Sequence, residues 1–389
     1  MKRTGTLLLV LLIAVAFGTQ VWAGGQSASG SASAPAAKPL TKVNVGVHRN
    51  GAGASAVAVA LEKGFFKDYG IDAQVTIVES GPVEMAAMRA DTPTLDIGYI
   101  GPGVAWNPID PTGNSLSFVF FDDLGNSERL LAKKGIFTRN SSGQFDYPAL
   151  YNGLKGKTVY LEIGTTPGGW FKNLVDAINQ GYAAGDQLWL QCEDSSYLAG
   201  YTAPNSNPAN KVLVVNYANA NLPAGMASAG SVTVDIAVGF EPAPSTILKN
   251  VSNAEMVADI NNLPKDKVFP ATFLANTKWL TSNPDLAKNC IYAIYKAAQW
   301  RAANLDESMR ITERLCAMPD GTFVANAYFF PGTAEYKDWF ADTNSAGYGY
   351  LRSLYNSSIS NIPKGATPKS FEDAVDYAYM LQAIKEISN

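Results

Sequence analysis

The sequence predicts an α/β fold with two lobes, each built on a mostly parallel sheet flanked by helices. From Lys42 onward, short runs rich in β-branched residues alternate with helical patterns, which is typical of parallel βαβ units. A chain of 389 residues also exceeds one comfortable hydrophobic core. In addition, several expected strands end in a junction of glycine and proline, so the two lobes are expected to face each other across a cleft.

The periodicity of apolar residues locates the individual elements. A helix after residue 163 buries Phe171, Leu174, Val175 and Ile178, which have the i, i+3, i+4, i+7 spacing of one helix face. Gly181 ends that helix. The expected strands are 43–47, 73–78, 95–100, 116–121, 157–163, 212–215, 233–239 and 271–275, and the expected helices outside that region are 54–63, 82–90, 284–304, 306–317 and 369–387.

The N-terminus has the pattern of a secretory signal peptide over residues 1–23. Lys2 and Arg3 precede an apolar run from Leu7 to Gly18, and Ala23 is suited to signal-peptidase cleavage. The Gly/Ser/Ala/Pro-rich residues 24–40 follow as a flexible linker. We therefore expect a periplasmic protein that is not lipid-anchored, because no cysteine lies near the cleavage site.

Composition argues against several partners and cofactors. The formal net charge is −4 with a single histidine, so nucleic acid is not an expected partner. Cys192, Cys290 and Cys316 are the only cysteines, and no metal-ligand spacing is present. We expect neither a cofactor nor a metal, and we expect a monomer.

The segment "GTTPGGW", residues 164–170, suggests where a ligand could bind. If Thr166 is the N-cap, Gly168 and Gly169 leave the start of the helix uncovered, so its free N–H groups attract an anionic group. Thr165 would add a hydroxyl and Trp170 an apolar wall. An ordinary strand-to-helix turn also favours these residue types, and that alternative stays open.

Similar junctions recur at the carboxyl ends of other expected strands, the edge where α/β sheets bind ligands. Gly81-Pro82, Gly101-Pro102 and Glu241-Pro242 each place a proline at the predicted first turn of a helix. His48 and Arg49 are either ligand contacts or a solvated strand end. The predicted ligand-binding residues are His48, Asn50, Gly81, Pro82, Gly101, Thr165, Thr166, Gly168, Gly169, Trp170 and Glu241.

Four stretches resemble the periplasmic substrate-binding proteins of ABC importers, in the nitrate, sulfonate and taurine branch that includes thiamin-pyrimidine binders. The most specific combination is "EKGFFKDYGID" with "DIGYIGP" in the first lobe. The other pieces are "LKGKTVYLEIGTTPGGWFKNLVDAINQG", "AGSVTVDIAVGFEP" and "FLANTKWLTSNPDLAKNCIYAIYKAAQWRAAN". The resemblance covers residues 43–318, whereas 182–210 is unusually long and 319–368 has no recognisable counterpart.

This resemblance implies a type II-like two-lobe fold and a non-enzymatic receptor. Lobe 1 would comprise residues 41–128 and 244–389, and lobe 2 residues 129–243, with crossovers near 127–132 and 240–245. The receptor would close on a small molecule and deliver it to an ABC permease with its ATPase.

The ligand's chemistry is left open between two classes. A sulfonate, a nitrate-like solute or another oxyanion suits the helix start, whereas the 18 tyrosines and 7 tryptophans would equally suit a flat heterocycle such as a thiamin pyrimidine. An enzyme on the same fold is a further alternative. Gly51, Gly53 and Ala56 match a dinucleotide fingerprint only loosely, and we predict no catalytic residues.

Overall fold

The computed structural model describes residues 39–105, 116–123, 127–198, 201–264, 270–328, 330–340, 343–358, 370–376 and 378–387. They belong to one compact unit, Pro39–Asn389. The predicted signal peptide and residues 24–38 of the predicted linker lie outside the described residues. No helix in the described ranges combines the length and apolar character needed to cross a bilayer.

The strands alternate with helices along most of the chain, as the sequence pattern predicts. The strands are β1 Thr41–His48, β2 Ile71–Val78, β3 Ile97–Ile100, β4 Leu116–Asp123, β5 Glu128–Lys133, β6 Thr158–Leu161, β7 Trp189–Cys192, β8 Lys211–Asn216, β9 Ile236–Phe240, β10 Ala254–Ala258 and β11 Ala271–Asn276. The helices are α1 Gly51–Glu62, α2 Phe65–Asp68, α3 Gly81–Arg89, α4 Pro102–Ala105, α5 Tyr147–Leu154, α6 Thr166–Asn179, α7 Leu222–Met226, α8 Ala243–Asn250, α9 Thr277–Ser282, α10 Pro284–Ala303, α11 Leu305–Leu315, α12 Thr333–Phe340, α13 Ala346–Ser358, α14 Phe371–Ala374 and α15 Ala378–Ile387.

The first sheet has the strand order β2-β1-β3-β11-β4 in the described residues. β1 pairs in parallel with β2 and β3, and β11 runs antiparallel to β3 and β4. The carboxyl ends of β1 to β4 therefore lie along one edge. Val43, Val45 and Val47 are fully buried on β1, which ties this sheet into its core.

The second sheet has the order β10-β5-β9-β6-β8-β7, again within the described chain. β6, β7, β8 and β9 run parallel, whereas β5 pairs antiparallel with β9. Glu128 is opposite Phe240 in that pairing, so the start of β5 lies at the carboxyl edge of the sheet. α6 packs Phe171, Leu174 and Ile178 into this sheet's core, as predicted.

Two helix-flanked sheets confirm the predicted α/β class, but the connections between them differ from the expected positions. Residues 128–132, expected as a crossover, form most of β5 in the second sheet. The chain returns to the first sheet between β10 and β11, because β10 pairs with β5. The lobe boundaries stay a prediction, and this pairing favours placing the second one after Ala258 rather than at residue 243.

The unusually long segment 182–210 and the segment 319–368, which has no counterpart in the resemblance, are ordered parts of the fold where they are described. β7 extends the second sheet from within 182–210. In residues 319–368, α12 and α13 pack on the first sheet's core through the fully buried Tyr336, Leu351 and Tyr355. The ring of Phe120 packs against the ring of Tyr336 in a tilted arrangement, with a centroid distance of 5.5 Å. This aromatic segment therefore completes the core.

Candidate ligand-binding cleft

A cavity of about 710 Å³ lies where the carboxyl edges of the two sheets meet. Its walls come from the ends of β1, β2 and β3 on one side and from residues after β6, β8 and β9 on the other. Its volume falls in the range of small-molecule sites. The lining residues are His48, Arg49, Asn50, Ile77, Val78, Glu79, Ser80, Gly81, Tyr99, Gly101, Pro102, Ser127, Glu128, Glu162, Thr165, Thr166, Ala218, Asn219, Ala220, Pro223, Phe240, Pro242, Ala243, Thr246 and Met318.

α3 and α6 begin at this cavity, and the N-cap side chain of each leaves the helix start uncapped. Ser80 is the N-cap of α3 and Thr165 the N-cap of α6, and neither side chain accepts a hydrogen bond from its helix. The sequence-based choice of Thr166 as the N-cap of α6 is one residue late. The Thr165 hydroxyl instead donates to the Glu162 carbonyl oxygen at 2.6 Å. Uncapped helix starts offer N–H groups and a positive dipole end to a polar ligand group.

The cavity brings together six of the predicted ligand-binding residues, namely His48, Asn50, Gly81, Gly101, Thr165 and Thr166. The other five lie outside its lining: Pro82, Gly168, Gly169, Trp170 and Glu241. The structure therefore shows which of these residues line the cavity, whereas the contact of any of them with a ligand stays a prediction.

Local packing explains why three of those five face away from the cavity. The Gly168 N–H donates to the Thr165 carbonyl at 3.2 Å, so it is not the free donor that the sequence suggested. The Trp170 ring packs into the second sheet's core and is 5% exposed. Glu241 is buried, and its Oε2 accepts a hydrogen bond from the Ser245 N–H at 3.2 Å.

The start of α1 at the same edge is closed by protein groups. The Asn50 side chain caps the helix by accepting from the Gly53 N–H. The Tyr328 hydroxyl, 3.2 Å away, accepts from the Gly51 N–H. Tyr328 belongs to the segment 319–368, so that segment closes a donor at the start of α1, whereas the starts of α3 and α6 have no such partner from their N-cap side chains. Asn50 thus serves as a cap although it also lines the cavity.

His48 is backed by a carboxylate buried beneath the cavity. Its Nε2 lies 2.7 Å from Oε2 of Glu84, whose side chain is fully buried. Gly46 on β1 and Gly98 on β3 are paired neighbours, and a Cβ on either would collide with the Glu84 carboxyl group. Burial raises the pKa of Glu84, and the contact with His48 opposes that rise. The two glycines therefore create the slot that holds this carboxyl against His48.

Glu128 is one of the cavity residues that sequence reasoning missed. It is 2% exposed, its Oε1 accepts from the Ser127 hydroxyl at 2.9 Å, and its Oε2 has no hydrogen-bond partner among the described residues. Burial raises the pKa of Glu128 to about 8, with a smaller contribution from Asp123, against the opposing hydrogen bond from Ser127. No local motif marks it, because its burial depends on pairing with β9.

No known family model matches the sequence. Relatives from Brucella abortus and Brucella suis, whose names propose only that they are binding proteins, are 26% identical over 257 residues. That match covers 66% of this chain and 66% of each relative, so the chain spans just under two thirds of their length.

Solved structures show the same fold at low sequence identity. The periplasmic nitrate-binding protein NrtA of Synechocystis PCC 6803 has a TM-score of 0.58 at 16% identity, with 89% of each chain covered. The periplasmic aliphatic sulphonate binding protein SsuA of Escherichia coli scores 0.57 at 12% identity, covering 86% of this chain and 97% of its own. The desulfurization enzyme DSZB scores 0.55 at 12% identity, covering 89% and 99%. These likenesses confirm the two-lobe periplasmic-binding-protein fold.

Proposed function

We propose that this protein is an extracytoplasmic solute-binding protein that captures a small molecule between its two sheets. The observation that carries the proposal is a cavity of about 710 Å³ lined from both sheets, with the starts of α3 and α6 facing it from opposite sides. A ligand that bridges these helix starts would hold the two sides together, which is the basis of hinge closure.

The relatives and the fold support this proposal. The Brucella relatives are named as proposed binding proteins, and nitrate-binding and sulphonate-binding proteins share the fold. By analogy, the closed form would be delivered to an ABC permease with its ATPase, and the protein would work in the periplasm as a monomer. Co-purification with a membrane permease from its own operon would test the partner.

For the ligand, we propose a small solute with an oxyanion such as a sulfonate, a nitrate-like group or a carboxylate. The uncapped N–H groups near Ser80 and Thr165 support this choice. A flat heterocycle is the second candidate. Tyr99 supports it, because its ring lines the cavity in edge-to-face contact with His48 at 5.6 Å.

Two measurements on the secreted protein test the proposal. A thermal-shift screen against sulfonates, inorganic oxyanions and pyrimidines should identify compounds that raise the melting temperature. A compound that binds should also reduce the radius of gyration in small-angle scattering. Stabilisation without any contraction would argue against closure between lobes.

The fold is shared with an enzyme, so turnover needs its own test. The compound bound in the screen should be recovered chemically unchanged after prolonged incubation with the protein, as judged by mass spectrometry. Its conversion into a product would replace the receptor proposal with the enzyme alternative.

A further inference from the structure

We propose that the cleft recognises a cationic N–H group on its ligand, and that Glu128 is the residue that pairs with it. This inference rests on the proposed solute-binding function and specifies the ligand further: the solute is amphoteric, with a protonated amine or amidine in addition to its oxyanion. The helix starts specify only the oxyanion of the ligand, so this positive charge narrows the class of ligand further.

The geometry around Glu128 leaves one oxygen for a ligand. Ser127 donates to Oε1, whereas Oε2 is buried and lacks a partner in the described part of the chain. A buried carboxyl oxygen without a partner is costly, and such groups need a donor. Because Glu128 lines the cavity, a bound solute is placed to supply that donor.

The charges around the cavity favour a cation over a neutral group. Three carboxyl side chains line it, namely Glu79, Glu128 and Glu162. Two basic side chains, Arg49 and His48, oppose them, and His48 already contacts the buried Glu84. Since Glu84 offsets His48, the cavity keeps an excess of carboxyl groups that a ligand cation would balance.

Burial holds Glu128 protonated before a ligand binds, because it raises the pKa of this carboxyl group to about 8. Asp123 on β4, which accepts a hydrogen bond from the Tyr99 hydroxyl on β3 at 2.8 Å, raises the pKa of Glu128 further. Arg129 on β5 has the opposite effect and lowers the pKa of Glu128. An arriving ammonium group would replace the proton: the carboxylic acid loses H⁺ to solvent, and the carboxylate forms an ion pair with the ligand. At pH 7 this exchange releases close to one proton per ligand bound.

Matched probe pairs that differ only in the cationic group test this proposal. The pairs are 2-aminoethanesulfonate with ethanesulfonate, β-alanine with propionate, and benzamidine with benzamide, titrated calorimetrically at pH 7 in two buffers of different ionisation enthalpy. We expect the cationic member to bind about tenfold to a hundredfold tighter, with proton release. The Glu128→Gln variant should abolish both the preference and the proton release.

The control is Glu193→Gln, the same substitution at an exposed position outside the cavity lining, and it should keep the preference. Thermal melts of Glu128→Gln establish that it is folded. Equal affinity within pairs, or a preference that survives in folded Glu128→Gln, overturns this inference while the proposed function stands. If neither these probes nor any compound of the wider screen binds, the proposed function fails and this inference with it.

Discussion

Asp122 on β4 and Glu128 on β5 are buried carboxyl groups close together in the chain, yet their surroundings differ. Both oxygens of Asp122 accept from Arg301, at 2.8 and 3.1 Å, and both side chains are fully buried. Ser55 accepts a further hydrogen bond from Arg301, whose guanidinium lies 3.6 Å from the Phe330 ring centroid. Ser127 donates a hydrogen bond to one oxygen of Glu128, and the second oxygen has no hydrogen-bond partner among the described residues.

This difference separates structural from functional burial. Asp122 lies outside the cavity lining, and its carboxylate is paired with Arg301 on α10. The role of this pair is therefore to fix α10 against β4. Glu128 lies in the lining and is incompletely matched. A substitution in the Asp122–Arg301 pair should therefore alter stability, whereas a substitution of Glu128 in the cleft should alter binding.

The largest expected effect comes from breaking the matched pair. Arg301→Met leaves Asp122 as an uncompensated buried acid, and we expect about 3–5 kcal/mol of lost unfolding free energy in urea titrations. The control is Arg314→Met, because the pair of Arg314 with Glu62 has side chains that are 56% and 51% exposed, and its loss should cost roughly 0–1 kcal/mol. Equal losses in the two variants would refute the structural role of the buried pair.

Glu128→Gln should change how stability depends on pH. The pKa of Glu128 rises from an ordinary 4.5 to about 8 on folding, so the folded state holds its proton more tightly. Its contribution to stability is therefore complete below pH 4.5 and is lost as the pH rises to about 8. Relative to Glu128→Gln, we expect the wild type to lose on the order of 4 kcal/mol over that range, because each unit of pKa difference is worth about 1.4 kcal/mol. Parallel stability curves would contradict this.

Sequence reasoning succeeded where structure depends on local signals. The strand runs and the α6 face followed from periodicity, and the starts of α3 and α6 followed from their glycine and proline junctions. It missed what depends on distant pairing. The helices of residues 319–368 were also missed, although Tyr348, Leu351 and Tyr355 have the i, i+3, i+7 spacing of a helix face. β5 was expected as a crossover, because its pairing with β9 leaves no local signal in the sequence. Glu128 was missed for the same reason.

Tyr328→Phe should affect stability with little effect on binding. The substitution removes the acceptor for the Gly51 N–H and keeps the ring, which stacks on Phe330 at 5.9 Å. We expect a loss of about 1 kcal/mol in unfolding free energy. Calorimetric titration with the solute identified in the screen should give the wild-type affinity. A tenfold loss of affinity would show that the start of α1 belongs to the binding site.

The smallest expected effect concerns the place where the two sides of the cleft approach each other. A Cβ at Gly101, after β3, would lie 3.1 Å from Oγ1 of Thr166 at the start of α6. That separation is tighter than ordinary packing, so Gly101→Ala should resist full closure without disturbing either sheet.

We expect Gly101→Ala to weaken the affinity for the identified solute by about threefold to tenfold and to reduce the contraction seen in scattering. Gly169→Ala is the matched control, because its Cβ would meet nothing within 4 Å, although it lies in the same first turn of α6. Alanine also suits a helix better than glycine, so Gly169→Ala should bind normally and melt at the same temperature or higher. If both variants bind and contract as the wild type does, the approach of Gly101 to Thr166 is not part of closure, and the two sides must meet elsewhere.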